Sequence, residues 1–334
     1  MNDSHVPSVQ PDDSAWRRAW PTLKKVLTAA FFILVAVLLY QLAKRLEWSE
    51  VVSAMRSYSA TTLLLAGAAA AASYLVYSSF DLLGKRYTGH PLPVRQILPV
   101  TFVCYAFNLN LSSWIGGVAF RFRLYSRLGL NKATITRVLS LSLLTNWMGY
   151  LCLAGAVFAS GLLKLPPDWK IDSVALQWIG AVLLVLALGY FLLCAFSKRR
   201  TWTVRGHELS LPSLQMSLTQ VALGATNWSL MAAVVFVLMP DNISYPTVLG
   251  VLLISSIAGV VTHIPAGLGV LEALFIALLS HQASKASLLA GLIGYRAIYF
   301  LIPLMIATLV YLVLEARAKK LRGKNVENRE TAES

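Results

Sequence analysis

Apolar residues run through this chain in long blocks separated by short polar clusters, and the block lengths predict the elements. Val26 to Leu42, Thr61 to Gly84, Arg137 to Gly161, Val174 to Phe196, Ser213 to Met239 and Ala286 to Leu314 are each long enough as helices to cross a hydrocarbon core of roughly 30 Å. Two further apolar segments are interrupted: Gln96 to Phe120 by NLNLSSWIGG, and Thr247 to Ser280 by HIPAGLG. A helix in lipid must satisfy its own backbone polar groups. Pro265, Gly267 and Gly269 are therefore tolerable together only where the opened backbone meets protein or water. The pattern predicts an all-α polytopic membrane protein with six full spans and two re-entrant, broken hairpins.

Composition and charge sharpen this. Of 334 residues, 57% are hydrophobic and only 13% charged, with mean hydropathy +0.64, which excludes a soluble domain. The net charge of +14 sits in short Lys/Arg clusters between apolar blocks, where membrane orientation accounts for it without nucleic acid. With the N-terminus cytoplasmic and both interrupted segments returning to the side they enter, 22 Lys and Arg fall inside and 6 outside. If Gln96 to Phe120 crossed fully, the split would become 10 against 18, which the positive-inside rule rejects. Folded as a hairpin, its 25 residues give two limbs of roughly 15 Å, about half the core. The second segment reads either as a deep hairpin or as two short spans, with the same parity.

Each half then has an odd number of crossings, so the second runs inverted relative to the first, as in inverted-repeat transporters with a site between broken helices. The expected organisation is a cytoplasmic arm over 1–25, one transmembrane domain over 26–314 with inverted halves 26–161 and 174–314, and a basic cytoplasmic tail over 315–334. Lys44 to Tyr58 carries Leu46, Trp48, Val52 and Met55 among charges and reads as an interfacial helix. Cys104, Cys152 and Cys194 lie in apolar segments without ligand spacing and read as small buried hydrophobes.

Charges at depth are costly and mark mechanism or structure. Glu272 and Arg296 are the two full charges inside the second half. They read either as a structural ion pair or as a pair that opens when an anionic headgroup takes Arg296 and Glu272 takes a proton. Asp81, four residues before Lys85, reads as an i, i+4 pair at the interface. His263 reads as a helix-end histidine or a proton relay. Arg121, Arg123 and Arg127 follow the Gly116-Gly117 break and suit phosphate through their planar donor forks, or simply anchor topology beside acidic lipid. The glycine pair allows either a headgroup-receiving polar tip or close helix packing. Asn108, Asn110, Asn146 and Asn227 add uncharged polar groups, the first three to this expected substrate path, with Pro265, Gly267 and Gly269 at its second break.

The blocks CYAFNLNLSSWIGGVAFRFRLYSRLGL, TITRVLSLSLLTNWMGY and VLLISSIAGVVTHIPAGLGVLEALFIALL resemble the lysylphosphatidylglycerol synthase transmembrane-region family, and the likeness runs from about Arg18 to Lys324. That family includes the flippase half of the multipeptide-resistance factor, which moves aminoacylated phosphatidylglycerol between leaflets. The resemblance implies lipid translocation through re-entrant helices at NLNLSSWIGG and HIPAGLGVLE, and a link to cardiolipin metabolism. The chain departs from it in lacking the soluble aminoacyltransferase domain, so aminoacylated lipid is not implied as its substrate.

There is no G-x-x-x-x-G-K-[ST] loop for an ATP-driven pump, and no H-E-x-x-H or G-x-S-x-G pattern for an intramembrane enzyme. The expectation is a non-enzymatic, cofactor-free inner-membrane translocator of anionic phospholipid, passive or proton-coupled. The alternatives are a lipid-binding scaffold that recruits a phospholipid-modifying synthase, and a permease for a small amphipathic solute.

Overall fold

The computed structural model describes residues 33, 37, 40, 41, 44, 48–111, 113–163, 173–198, 200–204, 207–262 and 269–316. The chain divides into two compact units, Met1–Trp48 and Ser49–Ser334. In the first, Ile33, Val37, Tyr40, Gln41 and Lys44 are helical and exposed; the remainder of the Val26 to Leu42 block lies outside the described residues.

The helices are α1 (Trp48–Ser57), α2 (Ala60–Thr88), α3 (Val94–Asn110), α4 (Phe120–Arg127), α5 (Lys132–Ala159), α6 (Ser173–Phe196), α7 (Leu214–Leu238), α8 (Tyr245–Thr262), α9 (Val270–Leu279), α10 (Lys285–Tyr295) and α11 (302–316). Two π-helical stretches, Ser113–Ala119 and Arg296–Leu301, join α3 to α4 and α10 to α11. The long helices start where the sequence supplies a cap. Ser59, Asn131, Ser213 and Ser284 each accept a hydrogen bond from a backbone N–H three residues on, satisfying one of the orphan donors of the first turn.

Six helices among the described residues are long and apolar enough to cross a membrane: α2, α5, α6, α7, α8 and the continuous run 285–316. Five match the sequence-read blocks. The sixth is α8, the first limb of the second interrupted segment, and its partner α9 has only 10 residues, so that hairpin has unequal limbs. The first hairpin is longer than half-core limbs would make it, since α3 alone has 17 residues. One element departs from the all-α expectation: β1 (Thr201–Val204) and β2 (His207–Ser210) pair antiparallel, Val204 opposite His207, leaving two residues between the strands. Alternating TWTV and HELS around Arg-Gly is a hairpin pattern short enough to hide inside a charged loop. The interfacial segment is helical as α1, with Trp48 and Val52 exposed.

The core is built by close helix approach. Helices α2 and α7 run antiparallel at the centre: Tyr58, ahead of α2, donates to the Leu238 carbonyl at the end of α7 (3.0 Å), and mid-helix Ser73 donates to mid-helix Asn227 (2.8 Å). Helix α7 meets α5 where Gly149 and Gly224 face each other, and a Cβ on either would overlap the other helix's backbone. Without a hydrophobic force between helices in lipid, such contacts supply the packing attraction. Helix α6 lies at the periphery, with Trp178, Val185, Leu193 and Phe196 exposed. Cys104 and Cys194 are buried and Cys152 half-buried, all three free thiols.

Gly224→Val should therefore separate α5 from α7 and lower thermal stability in detergent by about 3 kcal/mol, at or above the upper end of ordinary overpacking. A variant unfolding at the wild-type temperature would contradict this packing.

Candidate functional site

Chain segment 94–127 folds back on itself. Phe107 stacks on Phe120 with ring centroids 4.3 Å apart, and Thr101 lies 3.4 Å from the Tyr125 hydroxyl, so partner numbers fall along one limb as they rise along the other. Gly116 is pressed against the α3 backbone at Asn108, where a Cβ would overlap it, and a Cβ on Gly117 would lie 2.9 Å from Asn108 Oδ1. The glycine pair thus serves close limb packing rather than an open polar tip. Asn110, buried near the turn, donates to the Ala106 carbonyl (2.8 Å) and across to the Phe300 carbonyl (3.2 Å).

The same hairpin carries Arg121, which sequence reasoning placed at a lipid-facing tip. It is instead fully buried against Asp81 of α2, with Nε to Oδ2 at 3.2 Å and Nη2 to Oδ1 at 3.1 Å. Nη2 also donates to Ser142, and Nη1 to the Gly117 carbonyl; the Tyr125 hydroxyl donates to Asp81 at 2.7 Å. The expected Asp81–Lys85 pair is thereby overturned: the carboxylate is turned into the bundle, and Lys85 donates to the Leu92 carbonyl (2.6 Å). A bidentate arginine outcompetes a flexible ammonium at a desolvated site because its donors are pre-arranged.

About two turns back along α2, four side chains from four helical segments close a hydrogen-bonded ring. Ser73 Oγ donates to Asn227 Oδ1 (2.8 Å), which spends its only proton. The Tyr299 hydroxyl must then donate to Ser73 (2.6 Å), leaving its oxygen to accept from Tyr105 (2.8 Å), whose oxygen accepts from Asn227 Nδ2 (3.4 Å). All four are buried. Tyr77 stacks on Tyr105 at 3.5 Å, and Arg121 stands over the Tyr77 ring at 5.9 Å, so the ion pair and the ring share one aromatic wall. Tyr299 belongs to the π-helical stretch, whose widened turn leaves carbonyls for side chains: Tyr74 donates to the Tyr299 carbonyl (3.0 Å), and Asn110 to that of Phe300. Of this ring, the sequence reading noted only Asn227 as an isolated polar group.

That stretch begins with Arg296. Its Nε and Nη2 meet both oxygens of Glu272, the latter at 3.0 Å, and its guanidinium lies 5.7 Å from the Phe300 ring centre. Glu272 also accepts from the backbone N–H of Gly269 (3.0 Å), a residue held at φ 82°, where glycine is favoured. The two charges expected to pair do pair. The side chains of Arg296 and Glu272 are 10% and 18% exposed, against 1% and 0% for Arg121 and Asp81, so this pair is the less completely buried of the two. His263, Pro265 and Gly267 lie outside the described residues. The Asn146 carbonyl accepts from the Trp228 indole (3.3 Å), joining α5 to α7.

Arg123 and Arg127 converge on Glu315 of α11, Arg123 through Nη2 at 3.2 Å, while Arg123 Nε donates to the Tyr311 hydroxyl (2.9 Å). Two cations on one carboxylate leave a positive charge in excess at a partly exposed position. His90, between α2 and α3, is buried, and neither ring nitrogen finds a partner among the described residues. Burial, and then neighbouring Lys85, push its pKa below the ordinary histidine value, with Asp81 opposing.

Comparison with known proteins bears on this geometry. Residues 26–307 match the family described as Lysylphosphatidylglycerol synthase TM region. The chain is 49% identical to Inner membrane protein YbhN of Escherichia coli (strain K12), over 92% of this chain and 96% of that one. It is 28% identical to slr0712 of Synechocystis sp., over 87% of this chain and 92% of that protein. It is 23% identical to Phosphatidylglycerol lysyltransferase of Staphylococcus haemolyticus, over 86% of this chain but only 34% of that longer protein.

Asp81→Asn should leave Arg121 buried without its counter-charge and cost about 3–5 kcal/mol of stability, read as a large fall in the detergent unfolding temperature. The double variant Asp81→Leu, Arg121→Met should recover part of it, since an apolar pair removes both desolvation penalties; equal loss in single and double variants would contradict the coupling. For His90 the folded state favours the neutral ring, so its stabilising contribution is present above the ordinary pKa of about 6.5 and is lost as pH falls below it. Wild-type protein should lose thermal stability between about pH 7.5 and 5.5, and His90→Leu should lose less over that window.

Proposed function

The chain belongs to the lysylphosphatidylglycerol synthase TM region family, and from that premise we propose that it moves phospholipids between leaflets of the bacterial inner membrane, favouring anionic headgroups such as those of phosphatidylglycerol or cardiolipin. It is a multi-pass membrane protein. In this reading both termini are cytoplasmic, the two interrupted segments enter from opposite faces, and the halves are inverted repeats; the antiparallel, mid-helix packing of α2 on α7 supports that arrangement.

The observation that carries the proposal is the partly exposed Glu272–Arg296 pair at the head of α9. A phosphate presents the same two-oxygen face to a guanidinium as a carboxylate does. A headgroup entering there would displace Glu272, which either keeps its bond to the Gly269 N–H or takes a proton. The exchange swaps one paired state for another, so it avoids the several kcal/mol of leaving a bare charge in a low-dielectric site. No covalent step is involved, and the protein acts as a translocator rather than an enzyme.

A second reading is favoured by the Staphylococcus relative, in which the matched region is 34% of a longer chain named for lysyl transfer. A region of this kind would bind lipid and recruit a phospholipid-modifying enzyme.

Arg296→Gln, reconstituted in vesicles with leaflet-selective lipid quenching, should lose translocation while eluting as folded protein, and Arg296→Lys should retain a fraction, having the charge but not the fork. If Arg296→Gln fails to fold, the pair is structural. Wild-type protein that moves lipid no faster than empty vesicles, across headgroups and with a proton gradient imposed, would leave the scaffold reading.

A further inference from the structure

A crevice of about 310 Å³ runs between α2 and the span 285–316, walled by Leu63, Gly67, Tyr74, Phe102, Ile302 and Ile306, with Met55 of α1 at its upper end. Its walls are almost wholly apolar. It opens between residues that face outward on both helices, among them Leu64, Leu75, Met305 and Leu309. In a membrane-spanning chain these contact lipid, so the crevice is continuous with the lipid interface.

Its proportions select the occupant. From Leu63 to Tyr74 the wall is about 16 Å long at 1.5 Å per residue, close to the depth of one leaflet's hydrocarbon. Spread over that length, the crevice is narrower than the roughly 10–12 Å diameter of a helix with its side chains. A single file of methylene groups fits; a helix from this chain or a second copy does not.

Gly67 leaves room in the crevice wall. At Gly149 and Gly224 a Cβ would strike the facing backbone, whereas at Gly67, as at Gly189 and Gly259, it would meet nothing within 4 Å. No described neighbour needs that space. It lies in the crevice wall, where a side chain would project into the vacancy.

We propose that this crevice holds one acyl chain of a phospholipid in the leaflet that α1 borders. The inference deepens the lipid-translocating reading and rests on it for the ligand class. Tyr74 forms the floor and donates to the carbonyl of Tyr299, a member of the buried ring, so a seated chain touches the wall of the central network.

The test uses full-length protein in vesicles containing phosphatidylglycerol with a diazirine midway along one acyl chain, with the cross-linked peptides mapped. Label should fall on segments 63–74 and 298–306 in the wild type. Gly67→Leu, which fills the crevice without meeting a neighbour, should reduce it there by about tenfold. Gly189→Leu on α6, equally unobstructed but lining no crevice, should leave it unchanged. Equal labelling in the wild type and Gly67→Leu would overturn the proposal. So would exclusion of the probe by residues 26–47 cross-linking to a Gly67→Cys variant. A parallel translocation assay separates the two ideas: lipid movement without crevice labelling removes this inference alone, whereas crevice labelling without lipid movement supports it and removes translocation.

Discussion

Two full charges drawn out of water into a helical bundle must find each other, and Asp81 and Arg121 do so from separate helices. The hairpin that carries Arg121 has few independent means of choosing its seat on α2, because most of its remaining contacts are apolar and non-directional. A forked arginine against a carboxylate is directional, and Ser142 and Tyr125 complete its bonding from α5 and α4. Once that anchor is set, Tyr105 arrives opposite Tyr77, and the hydroxyl ring can close about two turns away along α2. Misplacing the hairpin by a single helical residue would leave a buried cation and an anion unpaired and remove Tyr105 from the ring, a far larger penalty than any one apolar contact could offset.

The ring has a second consequence. Its members come from α2, α3, α7 and the π-helical stretch, so both halves of the chain meet in one closed circuit of neutral donors and acceptors. Neutral groups can exchange partners at modest cost. The π-helical turn adds to this by leaving the carbonyls of Tyr299 and Phe300 to accept from side chains of other helices. Lipid movement past the centre would require some such place where bonds are traded rather than broken.

Five of the spans were legible because each depends on a local signal, an apolar run of sufficient length; their caps, Ser59, Asn131, Ser213 and Ser284, were not read from the sequence. The pairing of Glu272 with Arg296 was also legible, by elimination, since no other full charges share that half at depth. Asp81 failed the same reasoning. Lys85 lies four residues away and looks sufficient, whereas the true partner is 40 residues on and becomes adjacent only after the hairpin folds back. The ring was invisible for a similar reason. Tyrosine and serine in an apolar helix are unremarkable singly, and nothing in spacing says that positions 73, 105, 227 and 299 converge. The glycine pair at 116 and 117 was read as allowing either a polar tip or close helix packing, and its approach to the backbone at Asn108 favours the second.

The contrast between the two ion pairs bears on mechanism through solvent access. Asp81 and Arg121 are sealed and over-bonded, so any ligand able to separate them would have to supply both a new counter-charge and a path into the core. Glu272 and Arg296 keep part of each side chain outside, and Glu272 has a second bond, to the Gly269 N–H, that survives loss of the arginine. The carboxylate therefore has somewhere to remain when Arg296 turns to another anion. The two pairs thus differ in burial and in their further bonds. The less buried pair adjoins the π-helical stretch that contributes Tyr299 to the ring, so in the proposed translocation a headgroup's charge would be met there before its neutral parts pass.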